Sequence, residues 1–244
     1  MKMYSFTVAV AALFLLNQQQ DAQNIIKKVE KNRYSDNKYV VSTMIIHGRR
    51  AVRKIKAKSW IKGEEKSFTE YISPARERGT KMLKIKDNLW MYSPSSDRII
   101  RISGNMLRQS LMGSDLTYED MMEDPVISSH YSSVILGDTI ITNRKCWKIK
   151  LKARTEDVSY KKRIILVDKE RFVILQDERY AKSGTLLRKV SVKKMEFIQG
   201  KWIATHIIFK DMLKRGKGTE FIINEIKYNV KIPSYRFSKS SLKR

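Results

Sequence analysis

The chain is poor in the residues that staple small proteins and that build metal centres. Its 244 residues include one cysteine, Cys146, which excludes a disulfide within the chain and a cysteine-cluster zinc site. Four prolines and ten glycines are too few for a Pro/Gly-rich linker. The composition therefore favours a single soluble globular domain.

Acidic residues are also scarce. There are 25 Asp and Glu residues against 50 Lys and Arg residues, a formal net charge of +25. Such a surplus of positive charge favours an anionic partner. Three classes fit: a nucleic acid, an anionic membrane surface and an acidic macromolecule. The basic residues alternate with apolar ones, as at Lys148, Lys150 and Lys152, instead of forming one tract. This pattern favours a solvated sheet face that adsorbs to anionic surfaces over a dedicated binding groove.

The N-terminus carries a short apolar run over residues 6–16, behind Lys2 and ahead of a polar stretch. The run is too short to cross a bilayer as a stable helix, and its length is typical of a signal-peptide core. We predict a signal peptide over residues 1–20, cleaved between 17 and 23, and a single domain over residues 21–244. No cysteine lies near this junction, so we expect an exported protein that is not itself lipidated. The alternative is a buried N-terminal helix.

The remaining sequence predicts a mainly β protein. A short amphipathic helix over residues 21–34 is followed by alternating apolar and polar residues, which are typical of strands. The spacing of the turns excludes a parallel α/β sheet, because parallel strands need crossovers of about a dozen residues. The predicted strands are 39–46, 53–60, 66–72, 81–85, 89–92, 98–102, 106–111, 146–151, 163–167, 172–180, 186–197, 202–209 and 220–230. So many strands favour an antiparallel sheet that curls toward a barrel.

A second short helix is predicted in the middle of the chain. Thr117 and Asp120 form a Thr-x-x-Asp capping pattern, and Pro125 prevents the helix from running far. Because Leu116, Met121 and Met122 are apolar, we expect this helix to lie on a hydrophobic surface.

The sequence carries no motif of a known catalytic or cofactor site. It has no H-E-x-x-H, G-x-S-x-G, P-loop or G-x-G-x-x-G pattern, and His47, His130 and His206 have no neighbours at metal spacing. Ser114 and Asp115 are interpreted as turn and helix-start residues. We therefore expect no catalytic residues, no metal, no cofactor and no enzyme activity.

One block of the sequence resembles a known family. The block consists of Pro74-Ala75, Gly79-Thr80, Leu83-Lys84, Trp90-Met91-Tyr92-Ser93-Pro94, Arg98 with Arg101, and Ser110-Leu111-Met112-Gly113-Ser114-Asp115 ahead of Glu119-Asp120. It is similar to the LolA-like outer-membrane lipoprotein-sorting proteins, and within them to the larger subgroup associated with resistance-nodulation-division-type exporters. The sequence departs from that pattern at Leu116, where an aromatic residue is expected, and in its high Lys and Arg content.

The resemblance implies an unclosed antiparallel β-barrel, or half-barrel, whose apolar face is covered by a short α-helical lid and an N-terminal helix. Such a groove shelters acyl chains, at about 0.8 kcal/mol per buried methylene. We expect lid or groove contacts from Trp90, Tyr92, Leu111, Met112, Leu116, Met121 and Met122. Trp90 and Tyr92 are equally compatible with ordinary core packing. Arg98 and Arg101 lie on opposite faces of one strand, and the inward one is a candidate for holding the lid closed through helix-end carbonyls.

The resemblance implies a monomeric periplasmic carrier that moves the acyl chains of a lipoprotein or lipid toward the outer membrane. Its implied partners are an inner-membrane exporter complex, an outer-membrane receptor and an anionic membrane surface. One alternative is a sensor of the same fold that detects stray lipoproteins. A basic nucleic-acid-binding module is a further alternative that rests on charge alone, and we expect no nucleic acid.

Overall fold

The computed structural model describes residues 21–48, 51–123, 125–156 and 158–244, and the predicted signal peptide lies outside them. The described residues form thirteen strands. These are β1 (Asn37–His47), β2 (Val52–Lys62), β3 (Lys66–Ser73), β4 (Lys81–Ile85), β5 (Asn88–Ser93), β6 (Arg98–Ile102), β7 (Tyr131–Ile141), β8 (Arg144–Ala153), β9 (Lys162–Asp168), β10 (Ile174–Tyr180), β11 (Leu186–Ile198), β12 (Lys201–Asp211) and β13 (Thr219–Tyr228). All pairings are antiparallel, in one sheet.

The order of the strands divides the sheet into two hairpin meanders. Strands β6 to β1 run to the centre, where β1 pairs with β13, and β13 to β7 continue to the other side. Across the described residues β6 and β7 are free edges, so the sheet is not closed into a barrel. The chain between residues 103 and 130 connects these two edges directly. The predicted unclosed antiparallel β architecture is confirmed.

Side chains alternate between two faces of the sheet, as the sequence pattern predicts. Met44 and Ile46 of β1 are buried on one face with Ile55 of β2, whereas Lys54 and Lys56 point the other way and are exposed. We call the face of Met44 and Ile55 the inner face, because the helices lie on it, and the opposite one the outer face.

The first helix, α1, covers the described residues 21–33, close to the predicted range of 21–34. Its apolar stripe of Ala22, Ile25, Ile26 and Val29 packs on strands β8 and β9, while Lys27 and Lys28 face solvent. Each fully buried aliphatic side chain contributes about 1.5–3 kcal/mol, so this stripe holds α1 firmly on the inner face.

The chain end covers part of the outer face. Two 3₁₀ turns, Ser234–Phe237 and Lys239–Leu242, pack on β3 to β5, and the side chain of Leu242 is completely buried. No sequence pattern predicted this contact.

Two sequence predictions about strands are wrong. The predicted strand over residues 106–111 is a 3₁₀ turn, Gly104–Arg108, because it follows an edge strand and has no neighbour to pair with. Strand β7 was not predicted, because a bulge between Ile135 and Gly137 interrupts its alternation. Among the described residues, no helix has the length and apolar character needed to cross a membrane.

Candidate functional site

The connection between the two sheet edges forms a lid on the inner face. We call residues 104–123 the lid; its helix α2 is Tyr118–Met122. The five predicted contact residues in the lid all join one apolar cluster, and they are Leu111, Met112, Leu116, Met121 and Met122. The prediction that the central helix lies on a hydrophobic surface is confirmed.

The floor beneath the lid is supplied by strands β1 to β6. It includes Met44, Ile55, Tyr71, Met82 and Leu89, all buried. Methionine side chains come from both sides of this contact, and their unbranched, polarizable chains repack at little cost. The lid therefore rests on a surface that tolerates rearrangement.

Local sequence chemistry shapes the lid. The Thr117 hydroxyl accepts a hydrogen bond from the Asp120 amide at 3.1 Å, and the Asp120 carboxylate accepts one from the Thr117 amide at 2.8 Å, a complete capping box. The turn before it places Met112 at φ 50° and Gly113 at φ 71°. The predicted helix start at Thr117 is confirmed.

Cationic side chains of the sheet bind backbone carbonyls of the lid. Arg53 Nη2 of β2 donates to the Met112 carbonyl at 2.8 Å, and Lys84 Nζ of β4 donates to the Met122 carbonyl at 3.3 Å. Met122 is the last residue of α2, so Lys84 also complements the negative end of that helix. These contacts are of the kind predicted for Arg98 or Arg101, but other residues make them.

Arg98 and Arg101 lie on the edge strand β6 and are exposed. In the described part of the chain neither bonds to the lid. Charged side chains on a free edge oppose pairing with another chain, and this placement suits that role.

Carboxylates of the lid bind arginines of the other meander. Glu123 pairs with Arg163 of β9 and Arg179 of β10, each at 2.9 Å. Asp120 accepts from Arg179 at 3.3 Å and from the hydroxyl of Tyr160 at 2.6 Å. The lid is thus fixed to both halves of the sheet.

The arginines are held in turn by a buried carboxylate. Asp177 of β10 binds Arg163 at 2.6 Å and Arg179 at 2.8 Å, and the side chains of Asp177 and Arg163 are almost fully buried. Burial alone would raise the pKa of Asp177, but the two guanidinium groups outweigh it and lower the pKa to about 2. The cluster therefore remains ionised at neutral pH.

A further carboxylate fixes the middle of the lid. Asp115 accepts from the Thr219 hydroxyl at 2.8 Å and from the Asp211 amide at 3.0 Å. The bond from the Asp211 amide agrees with the interpretation of Asp115 as a turn residue whose oxygens satisfy amide groups, and the bond from the Thr219 hydroxyl was not predicted.

Two cavities lie on the inner face, the larger against the end of α1 and the smaller under the lid. The larger, about 320 Å³, has a floor of apolar side chains from β11 to β13 that includes Val190, Ile207, Phe209, Ile223 and Ile226. The smaller, about 200 Å³, lies under the lid residues Leu116, Asp120 and Glu123. Arg33, Arg163, Arg179 and Phe209 line both. The volume of the larger cavity falls in the range of small-ligand sites.

Trp90 and Tyr92 are placed elsewhere. They belong to the cluster of Phe68, Leu83 and the chain end on the outer face. The structure does not bring them together with the lid residues, and ordinary core packing accounts for both.

Among the histidines, His47 and His206 share one partner. Their Nε2 atoms lie 2.6 and 2.7 Å from the two carboxylate oxygens of Glu220. Both histidine side chains therefore have a hydrogen-bond partner and are structural. No group of three or more His, Cys, Asp or Glu residues in the described chain has a metal-binding arrangement.

Several known structures share this fold over most of the chain. A family model described as "Uncharacterized protein" matches residues 63–244. A LolA superfamily protein from Nitrosomonas europaea is 26% identical, with a TM-score of 0.75, over 90% of this chain and 98% of that one. The chain belongs to the family of that model, and its fold is LolA-like.

Two further structures resemble this LolA-like chain at 22% identity. A DUF1329 family protein from Desulfovibrio piger has a TM-score of 0.84 over 92% of this chain and 99% of that one. A domain assigned to outer membrane lipoprotein sorting in Vibrio parahaemolyticus has a TM-score of 0.80 over 93% of this chain and 100% of that one. No curated protein matches the chain. The exporter-associated subgroup remains a prediction.

The sequence did not reveal the arginines that hold the lid of this LolA-like chain. Arg163, Arg179 and Arg188 are separated along the chain, and only the register of β9, β10 and β11 aligns them. One signal was available. Arg163 lies two and four residues before Ile165 and Val167, so all three side chains point to the same, apolar face of the strand. A charged residue on such a face indicates a buried ion pair.

Proposed function

We propose that this protein is a periplasmic carrier that shelters the acyl chains of a lipoprotein or lipid and moves them toward the outer membrane. The observation that carries the proposal is the methionine-rich lid, which covers an apolar inner face and a cavity of about 200 Å³. The cavity of about 320 Å³ lies beside it on the same face, and Arg33, Arg163, Arg179 and Phe209 line both cavities. The LolA-like fold of the chain supports the proposal.

The lid contacts suit reversible binding. Polar bonds from Arg53, Lys84, Arg163 and Arg179 fix the lid at separate points, and each bond is replaceable by water once the lid moves. The apolar surface exposed by that movement is favourable only when an acyl chain covers it. Loading and lid opening are therefore coupled.

The outer face supports a role for an anionic membrane surface. Exposed lysines include Lys54 and Lys56 on β2, and Lys148, Lys150 and Lys152 on β8. Each basic residue near an anionic bilayer contributes about 1 kcal/mol at moderate salt. We propose that this face adsorbs to the membrane during loading or release by an exporter complex and a receptor.

The test is a transfer assay with the full chain. Lipid is first extracted from purified protein and identified. Movement of a fluorescent diacylated lipopeptide from donor to acceptor vesicles is then measured. A carrier speeds transfer in proportion to its concentration and contains acyl lipid when isolated.

Two results would contradict the proposal. Binding of the lipopeptide without any faster transfer would favour a sensor. The absence of binding would exclude both roles. The predicted export is checked separately, by fractionating cells and determining whether the mature N-terminus lies between residues 17 and 23.

A further inference from the structure

The larger cavity contains two cationic side chains that have no bonding partner. Arg33 is the last residue of α1, and Lys38 follows in β1 on the inner face with Val40 and Met44. Both line the cavity. Within the described part of the chain, neither has an ion pair within 4 Å or a hydrogen bond.

Arg33 lines both cavities although much of its surface is exposed. Burial of the rest, followed by the charge of Arg163, lowers its pKa. For Lys38, burial and then the charge of Arg33 lower the pKa to about 8. Two neighbouring cations in an apolar-floored cavity are unfavourable when it is empty.

A third unpartnered group lies between them in sequence. The Ser35 side chain is 9% exposed and also lines the cavity, and its hydroxyl has no hydrogen-bond partner among the described residues. Arg33, Ser35 and Lys38 thus provide two cationic donors and one hydroxyl donor within one helix-to-strand connection. We call these three residues the cationic triad.

The carboxylates of the same cavity are already occupied. Glu30 accepts from the amide and the hydroxyl of Ser128 at 2.6 and 2.9 Å, and Asp177 binds Arg163 and Arg179. Glu64 also has a partner. None of these carboxylates bonds to the triad, so the positive charge of the triad is not neutralised by a direct contact.

We infer that the ligand of the cavity is an anionic amphiphile whose phosphate or carboxylate head binds the cationic triad while its acyl chain lies on the floor of β11 to β13. This inference rests on the proposed function and specifies its ligand class. An anion at the triad pairs with Arg33 and Lys38 at once, and a rotation of the Ser35 side chain brings its covered hydroxyl to the anion. The apolar floor begins directly beside these donors, which matches a head group joined to an acyl chain.

The experiment compares two probes that share one acyl chain. 1-Palmitoyl-lysophosphatidylglycerol carries an anionic phosphate head, and 1-palmitoylglycerol carries a neutral head with no phosphate. Each displaces a fluorescent acyl probe from the delipidated full chain, below the micelle concentration and at fixed salt. We expect the anionic probe to bind about tenfold more tightly, as one charge-assisted hydrogen bond predicts.

Variants test whether Arg33 and Lys38 cause the preference for the anionic probe. Arg33→Gln with Lys38→Gln should weaken binding of the anionic probe about tenfold and leave binding of the neutral probe within about twofold. The matched control is Lys86→Gln with Arg215→Gln, which removes the same charge from exposed positions outside the cavity. Lys38→Met alone is a second test, because it keeps the side-chain length and removes a buried charge.

Each outcome decides the question. Equal binding of the two probes to the wild type, or equal losses in both double variants, overturns the inference while acyl binding still supports the carrier. Failure of both probes to bind contradicts the carrier as well. Inorganic phosphate that displaces the probe as effectively as the amphiphile would indicate a free phosphate site and overturn the inference. A bound anion should also raise the pKa of Lys38 above about 8, measured by NMR.

Discussion

Glu123 links the end of the lid to the sheet, and its replacement tests whether the lid opens as a unit. Its two carboxylate oxygens bind Arg163 and Arg179 at 2.9 Å, and its side chain is 21% exposed. Glu123→Gln keeps the size of the side chain and removes its charge. Both arginines retain Asp177, so no buried cation loses its only carboxylate.

The expected loss follows from these two bonds. A hydrogen bond to a charged group is worth about 1.5–3 kcal/mol, and the glutamine oxygen keeps one weaker bond. We expect the closed lid to lose about 1.5–3 kcal/mol, which corresponds to a roughly ten- to hundredfold larger open population. Because α2 is only five residues long, the loss should appear as local opening.

The assay is hydrogen exchange of single amides. The amide of residue 123 donates to Glu119 and that of Asp120 to Thr117, and both should exchange about ten- to hundredfold faster in the variant. Buried amides of β8 should keep their protection. The matched control is Glu225→Gln, whose partner Lys227 lies 2.6 Å away on the outer face. Unchanged exchange in α2, or an equal loss in α2 and β8, would refute the reasoning.

Three other predictions concern the lid turn, the buried ion cluster and the thiol. Gly113→Ala should destabilise the fold by about 1 kcal/mol in urea unfolding, since φ is +71° and the added carbon lies 2.8 Å from Arg53 Nη2; an unchanged midpoint would contradict this. Asp177 has a lowered pKa, so its stabilisation is present above its unfolded pKa of about 3.9 and is lost as the pH falls toward 2. The contribution of Asp177 to the free energy of unfolding, on the order of 2 kcal/mol, should be absent from Asp177→Asn. The free energy of unfolding of that variant, measured in urea, should therefore change less between pH 5 and pH 2 than that of the wild type. Burial raises the pKa of Cys146 to about 11, so a thiol reagent at pH 8 should label it only on unfolding, and fast labelling of the native protein would contradict its complete burial.

The sequence predicted the fold well where local signals are strong. Alternation gave twelve of the thirteen strands, as shown by the bounds above, and the Thr117–Asp120 pattern gave the start of α2. Strand β7 was not predicted because the bulge at Gly137 interrupts its alternation of apolar and polar residues. Met106 and Leu107 form a 3₁₀ turn because no strand is available to pair with them. Alternation along the sequence indicates which side chains share one face of a strand. It does not indicate whether a second strand is available to pair with it.

The candidate site was predictable only in part. The lid residues Leu111, Leu116 and Met121 could be found because they are apolar within one short segment. Trp90 and Tyr92 could not be assigned to a face, because the chain end that covers them is distant in sequence. The lid-binding residues Arg163 and Arg179 depend on the register of two strands, which composition does not specify.

The path of the chain gives the lid a mechanical role. Residues 103–130 leave one free edge of the sheet at β6 and enter the other at β7, so the lid is a strap of fixed length joining the rims of an open trough. The length of this strap therefore limits how far the two rims can separate. In the proposed carrier, we expect a cargo that forces the rims apart to pull the strap from both ends, which favours release of that cargo.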